Sequence, residues 1–282
     1  KQIFYSKELE KNYFSKNFKI NKQIENAYVL GSSPGNNYYR NIFTFLYRLF
    51  FITDSEINLA IHRNTSNNIK NHIRHILDFK KIKINKFIYL DDGFYLFKDS
   101  QIPCFLNLKD VMNLYENNFQ SNKSKNKRIY ISRRNAEWRK VVNETTLYSD
   151  LEKNGFAIID LESKRIDDQI NFIQSADRII SPHGSGLVNL IFSSPKTNVV
   201  EIMPKNIENE IKHLYSKYKQ ISILKKNKHL FFGADLVDNT FAINTKMQSY
   251  ISMDILKNST YYKNFIVQEK EFKNLIINFC KN

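Results

Sequence analysis

The second half of the chain alternates short β-branched runs with segments of helical periodicity, and this alternation restricts the possible folds more than any other feature. The runs lie at residues 128–132, 156–160, 178–181 and 198–202. Their length and apolar character are typical of buried strands. Strands that alternate with helices form βαβ units, so the pattern predicts a parallel sheet.

The intervening helices are predicted at residues 143–153, 167–175 and 186–192. Asn143 stands where it can cap the first of them. Beyond the sheet, residues 261–280 have the apolar spacing of one long amphipathic helix.

The first half of the chain is less regular but similar in kind. Strand-like runs at residues 26–30, 57–61 and 86–90 are separated by helical patterns at residues 37–51 and 68–79. We therefore expect an α/β protein of two Rossmann-like domains. Ligands of open α/β sheets bind at the carboxyl ends of the strands, so the site is expected in an interdomain cleft.

The boundary between the domains is predicted at a polar, charged stretch. Residues 120–127 contain no large apolar residue, which is typical of a linker. We place the first domain at residues 1–122 and the second at residues 123–282. The final helix is expected to cross back to the first domain.

The composition favours packed cores and no membrane span. Of the 282 residues, 42% are hydrophobic and 14% aromatic. The most apolar stretch, residues 42–52, is interrupted by Arg48 and is shorter than the roughly 18 residues that span a bilayer. The two cysteines give neither a disulfide framework nor a metal-ligand cluster, and no segment resembles a secretory signal. We expect a soluble chain.

Positive charge is concentrated near the start of the predicted second domain. The net charge is +15, and residues 121–140 hold eight basic residues and one acidic residue. The lysines of this run are typical of a solvated linker. Arg133 and Arg139 suit a phosphate-bearing partner, because a guanidinium binds two oxygens at once. On charge alone, nucleic acid, a membrane surface and a nucleotide diphosphate all remain open.

A glycine-rich turn follows the third predicted strand of that domain. Residues 180–192 read ISPHGSGLVNLIF and include two of the chain's 7 glycines and one of its 6 histidines. Such a turn can bind phosphate at a helix N-terminus, or can need glycine only for tight packing. A serine hydrolase with Ser185 as nucleophile is a weaker interpretation. The nucleophile elbow has glycine two residues before and after the serine, where this chain has His183 and Leu187.

The order and spacing of these motifs resemble glycosyltransferase family 61, in its bacterial type. That family carries a Ser-Arg…Arg…Asn-Glu element, a Gln on the next helix, His-Gly-Ala-Gly-Leu-x-Asn, and a strand ending in Glu. The resemblance covers about residues 127–204, with Ser185 where the family usually has Ala. The matching positions are Ser132, Arg133, Arg139, Asn143, Glu144, Gln169, His183, Gly184, Gly186, Leu187, Asn189 and Glu201.

The first domain resembles the family more weakly. The family often shows Asn-Tyr-aromatic-His, followed by an acidic residue and then Pro-Arg-Leu. This chain has Asn37 and Tyr38, then Tyr39, but Arg40 stands where the histidine would be, and Thr44 replaces the acidic residue. The resemblance places Tyr39 and Arg40 on the acceptor side. The departures leave the acceptor and the catalytic base open.

The resemblance implies an inverting, metal-independent glycosyltransferase with the GT-B arrangement. It would move a hexose or pentose from a nucleotide sugar, with a UDP-sugar expected, to a glycan or a lipid-linked glycan. We expect no cofactor and no metal, and the sequence has no Asp-x-Asp motif. The residues implied to bind the donor are Arg133, Arg139, Asn143, Glu144, Gln169, His183, Gly184, Ser185, Gly186, Asn189 and Glu201.

Within this mechanism, arginines and the glycine-rich turn would stabilise the leaving diphosphate. A base must take the proton of the acceptor hydroxyl, and His183 and Asp92 are the candidates. For His183 a contact with the donor is favoured, and for Asp91 and Asp92 a plain hairpin turn is the competing interpretation. Glu201, at the end of a strand, could hold a ribose or sugar hydroxyl.

Two further histidines, His72 and His75, lie three apart in a helical pattern. No carboxylate or cysteine follows at a matching spacing, so a solvated helix face is predicted rather than a metal site.

The expected setting is the bacterial cytoplasm, in capsule or lipopolysaccharide synthesis. Acceptors of that kind are linked to membranes, and the positive charge would favour peripheral contact with an anionic inner membrane. The rival from another class is a basic nucleic-acid-binding protein, which should show an exposed stripe of basic and aromatic residues. Because the arginines cluster at one βα turn instead, we expect no nucleic-acid partner.

Overall fold

The computed structural model describes residues 20–31, 37–103, 105–119, 126–136, 138–205, 215–237 and 260–281. Cys104 and most of the predicted linker at residues 120–127 lie outside the described residues. The chain divides into two compact units, Lys1–Asn36 with Thr44–Phe105, and Asn37–Phe43 with Leu106–Asn282. The acceptor and donor roles assigned to the two domains stay predictions.

Two small parallel sheets build the first unit. Its strands are β1 (Ile20–Glu25), β2 (Tyr28–Val29), β3 (Glu56–His62), β4 (Lys83–Leu90) and β5 (Phe94–Lys98). Strands β2, β3 and β4 form one sheet in that order, and β1 pairs with β5 in the other. Helix α1 (Asn67–Phe79) connects β3 to β4 and begins at Ser66, whose hydroxyl accepts the N–H of Ile69.

The helical segment predicted at residues 37–51 is present but irregular. It consists of one α-turn at Tyr38–Arg40, a π-helical stretch at Asn41–Phe45 and a 3-10 helix at Leu46–Phe51. The division between the two units falls within it, after Phe43.

The interpretation of Asp91 and Asp92 as a hairpin turn is wrong. They connect β4 to β5, but β5 pairs in parallel with β1, so the two flanking strands do not form a hairpin with each other.

The prediction of a solvated face for His72 is also wrong. His72 is only 2% exposed and lies on the apolar side of α1 with Ile69, Ile73 and Ile76. Burial in this apolar surrounding lowers the pKa of His72 to about 3, because the charged form loses its hydration.

This burial predicts a pH-dependent loss of stability. The folded-state pKa of His72 lies below the ordinary value, so the unfolded chain binds the proton more readily. Between pH 7 and pH 5 this one group should remove about 2 kcal/mol from the free energy of unfolding. Urea unfolding of His72→Leu should show a smaller decrease in the free energy of unfolding between pH 7 and pH 5. His75→Leu should show the same decrease as the wild type. An equal loss in wild type and His72→Leu would contradict the assignment.

A six-stranded sheet flanked by helices forms the second unit. Its further elements are α2 (Leu108–Asn118), β6 (Lys127–Ile131), α3 (Glu144–Lys153), β7 (Phe156–Ile159), α4 (Ile166–Ser175), β8 (Ala176–Pro182), the 3-10 helix Ser185–Phe192, β9 (Asn198–Pro204), α5 (Lys217–Leu224), β10 (Lys228–Val237), β11 (Asn264–Ile266) and α6 (Glu269–Lys281). All strands are parallel except β11. The predicted parallel sheet is confirmed, while the pair of Rossmann-like domains in a GT-B arrangement stays a prediction.

The strand order reverses inside this sheet. From β6 the chain adds β7 on one side and then β8, β9 and β10 on the other, giving the order β11-β10-β9-β8-β6-β7. The connections after β6 and β8 therefore leave the sheet in opposite directions. Such a reversal opens a crevice at the carboxyl ends of the strands.

The single helix predicted over residues 261–280 is wrong in its first half. The segment contains the short strand β11 before α6 begins at Glu269. Contacts with a distant part of the chain hold this segment: Asn143 binds both the N–H and the carbonyl of Val267, just after the strand, and Asn264 of the strand accepts the N–H of Lys140. Helix α6 buries Phe272 in the core of the second unit, and its expected crossing to the first domain stays a prediction.

Both faces of the sheet are packed. One face buries Tyr130, Phe156 and Ile180 with side chains of α3 and α6. Elsewhere in the unit, Phe192 of the 3-10 helix meets the rings of Tyr115 and Phe119 edge to face. Among the described helices, none has the length and apolar character to cross a membrane.

Candidate functional site

A small pocket lies at the carboxyl edge of the six-stranded sheet. It is lined by the ends of β6 and β8 and by the segments that follow β6, β7 and β8, among them Arg133, Asp160 and Gly186. This is the place where the strand order reverses, and where ligands of open α/β sheets bind.

Arg133 is fixed at this edge by its backbone and by its side chain. Its N–H donates to Glu144 Oε1 at 3.0 Å, and its guanidinium donates to the carbonyl oxygens of Trp138 at 3.0 Å and Arg139 at 3.4 Å. Burial, together with the charge of Arg139, lowers the pKa of Arg133 to about 10. The guanidinium therefore stays protonated at neutral pH.

Glu144 anchors the turn that carries Arg133. Besides the N–H of Arg133, its carboxylate accepts the hydroxyls of Tyr130 at 2.9 Å and Ser132 at 2.8 Å. Glu144 is 2% exposed. In this structure Glu144 positions Arg133, and its predicted contact with the donor stays a prediction.

The glycine at position 184 is explained by the approach of Arg133. A Cβ atom built on Gly184 would lie 2.0 Å from Nη1 of Arg133. The backbone of Gly184 is extended, with φ of 175°, so space and not conformation requires glycine here. At Gly186 a Cβ would meet Ile131 Cγ2 at 3.5 Å, which is an ordinary contact.

Arg139 supplies a second cation. It is 8% exposed, and its backbone has φ of +56°, a left-handed conformation that non-glycine residues adopt rarely. Its charge lowers the pKa of both Arg133 and His183, so these groups lie within electrostatic reach of one another. Neighbouring guanidinium groups repel when partly desolvated, and a bound anion would relieve that repulsion.

Glu201 contacts two buried histidine rings, His183 and His229. Glu201 Oε1 contacts His183 Nδ1, and Oε2 accepts the Nε2–H of His229 at 2.9 Å. His229 Nδ1 lies 2.8 Å from the hydroxyl of Ser222. All three ionisable side chains are buried. Through its contact with Nδ1, Glu201 therefore fixes the orientation of the His183 ring.

The electrostatic environment keeps both imidazoles neutral. Burial lowers the pKa of His183, and the charges of Arg139 and Arg133 lower it further. Burial lowers the pKa of His229 to about 4. Burial raises the pKa of Glu201, while Arg139 acts in the opposite direction.

The sequence analysis missed His229 and Ser222. The run of apolar residues at 230–236 could have indicated the strand β10. Nothing in the sequence links His229 to Glu201, however. The link arises only because β9 and β10 pair in parallel.

Tyr38 and Asn189 belong to one hydrogen-bonded group. The hydroxyl of Tyr38 donates to Asn189 Oδ1 at 2.9 Å, and Asn189 Nδ2 lies 3.5 Å from Gln169 Oε1. Gln169 in turn donates to the carbonyl of Lys164. Asn189 and Gln169 are both buried, and they tie residues 37–43 to the rest of the second unit.

Tyr39, predicted on the acceptor side, and His183 both contact the ring of Tyr218. The ring of Tyr39 meets Tyr218 edge-on at 6.0 Å, and the centroid of Tyr218 is 5.1 Å from that of His183. Lys217 lies over the ring of Tyr39. Tyr218 thus lies between Tyr39 and a predicted donor residue, and the acceptor-side role of Tyr39 stays a prediction.

Other predicted site residues lie outside this group. Asn143 occupies the predicted N-cap position of α3, but its side chain binds Val267 and makes no capping hydrogen bond. Ser185 begins the 3-10 helix. Arg40 is exposed. Asp92 is a fully exposed residue of the first unit, 3.1 Å from His62 Nε2. The roles proposed for these residues stay predictions.

The chain matches a known protein family. A family model described as Glycosyltransferase 61 matches residues 22–200, which is more than half of the chain. The matched region extends from β1 into β9 and includes both arginines and the glycine-rich turn. No curated protein matches the chain significantly.

Proposed function

Because the chain belongs to glycosyltransferase family 61 and is a glycosyltransferase, we propose that its donor is a nucleotide sugar whose diphosphate binds at Arg133, Arg139 and the turn at residues 183–186. One observation carries this proposal. Arg133 lines a pocket at the point where the strand order reverses, and the charge of the buried Arg139 acts on it. A UDP-sugar is the donor we expect.

The proposed reaction is an inverting transfer. The acceptor oxygen attacks the anomeric carbon from the face opposite the diphosphate, and the bond between that carbon and the diphosphate oxygen breaks. Negative charge then develops on the leaving diphosphate. Arg133 and Arg139 would stabilise it, so the reaction is proposed to proceed without a metal ion.

The proton of the acceptor hydroxyl must go to a base. His183 suits this poorly, since burial and the two arginines lower its pKa and so weaken it as a proton acceptor. We therefore favour the carboxylate of Asp92 as base. The donor contact expected for His183 rests on the sequence resemblance, since its side chain is only 1% exposed. The proposed acceptor is a glycan or lipid-linked glycan, and the charge of +15 favours an anionic membrane surface as its location.

Calorimetric titration of the wild-type protein tests the donor assignment against the nucleic-acid alternative. We expect saturable binding of UDP and UDP-GlcNAc that persists in the presence of EDTA. Single-stranded and duplex oligonucleotides should bind weakly, and only at low salt. Oligonucleotide binding without any nucleotide binding would overturn the proposal, and loss of nucleotide binding in EDTA would count against metal independence.

A further inference from the structure

One carboxylate that lines the pocket has no role in the proposed diphosphate site. Asp160 follows β7, the strand next to β6, and lines the pocket together with Asn135 and Arg133. Sequence analysis did not single it out. Asp160 lies at a strand end, in the same pocket as the proposed diphosphate-binding groups. It is therefore the first acidic group to consider as a partner for the nucleoside of the donor.

Asp160 is held rigidly but keeps the capacity to accept more hydrogen bonds. Its Oδ1 accepts the N–H of Glu162 at 3.1 Å, and its Oδ2 accepts the amide of Asn135 at 2.8 Å. An ionised carboxylate has about four acceptor positions, so about two remain. The residue is half-buried, which leaves the carboxylate reachable from the pocket.

We propose that Asp160 accepts the ribose hydroxyls of the nucleotide donor, which makes the pocket selective for ribonucleotides over 2′-deoxyribonucleotides. A ribose presents two neighbouring hydroxyl donors, and a carboxylate fixed at a strand end is a suitable acceptor for them. Glu201 was expected to do this, but it is fully buried and its oxygens already meet two histidines. This inference rests on the proposed function.

The test compares pairs of ligands that differ by one hydroxyl. The diphosphate that binds best among UDP, GDP, ADP and CDP is titrated beside its 2′-deoxy counterpart and beside inorganic pyrophosphate. We expect the wild type to bind the ribonucleotide about tenfold more tightly than the deoxy form, since hydrogen bonds to charged groups are strong. In Asp160→Ala the two should bind within about twofold of each other, and pyrophosphate affinity should not change.

Glu162→Gln is the matched control. Glu162 is an exposed residue of the same pocket, and this variant removes its carboxylate. It should keep the tenfold preference. Melting temperatures verify that each variant is folded. The inference is overturned if the wild type does not distinguish the two sugars, or if Asp160→Ala still does. A wild type that binds neither pyrophosphate nor any nucleotide overturns the proposed function itself, and this inference with it.

Discussion

Gly184→Ala is expected to weaken nucleoside diphosphate binding by about as much as Arg133→Ala, which should cost about 1.5–3 kcal/mol, as the loss of a charged hydrogen bond does. The added methyl group would occupy the position of the Arg133 guanidinium, at 2.0 Å from Nη1. Because that group is the end of a flexible side chain, it can move aside without disrupting the fold. We therefore expect a large loss of affinity with little change in melting temperature. Calorimetry with UDP and a thermal melt of each variant measure the two effects.

The double variant distinguishes this mechanism from a direct contact between Gly184 and the ligand. If alanine at position 184 acts by displacing Arg133, Gly184→Ala combined with Arg133→Ala should bind as weakly as either single variant. Gly186→Ala is the matched control, since its Cβ would make only ordinary contacts. Additive losses, or a Gly184→Ala protein with unchanged affinity, would contradict the displacement.

Local patterns allowed much of the second unit to be predicted. Strands β6 to β9 fall within a few residues of the runs that indicated them, and α3 ends at the predicted residue. These elements are specified by short stretches that are buried on both faces, so the signal lies within each stretch. The parallel sheet follows from their alternation with helices.

Elements that depend on distant partners could not be predicted in this way. Strand β11 is held by Asn143, which is 124 residues away from Val267. Its three residues are too few for a periodicity to be recognised, and the helical pattern that follows extends over them. The weak pairing of β2 with β3 raises the same difficulty in the first unit.

The burial of His72 was predictable and was missed. The positions of Ile69, His72, Ile73 and Ile76 have the spacing of a single helix face, so the apolar residues around the histidine indicated its side. The interpretation followed the polarity of the side chain instead of its place in the pattern.

For the candidate site, motif order identified residues but not their functions in the structure. Arg133, Gly184 and Glu201 were all singled out from the sequence. Only the structure shows that Gly184 makes room for Arg133 and that Glu201 contacts His183. Asp160 and His229 carried no motif, because their importance arises from strand pairing at the sheet edge.

Because Glu201 is buried, replacing it is expected to have the largest effect on stability. Glu201→Ala would leave His183 and His229 without their common partner and would open a cavity in the core. Breaking a buried charged or hydrogen-bonded network by removing one member costs about 3–5 kcal/mol. Urea unfolding at neutral pH should show this as a lower midpoint with an unchanged slope.

Glu201→Gln and His229→Gln separate the hydrogen bonds from the volume of the side chain. Glutamine at position 201 keeps a carbonyl that can accept the Nε2–H of His229, and glutamine at position 229 keeps an N–H for Glu201. Each variant should lower the free energy of unfolding by about 1 kcal/mol, which is well below the decrease expected for Glu201→Ala. Glu162→Gln, on the surface, should change stability by less than about 0.5 kcal/mol. If Glu201→Ala instead unfolds like the wild type and loses only nucleotide affinity, Glu201 contacts the ligand directly, as the ribose assignment from sequence had it.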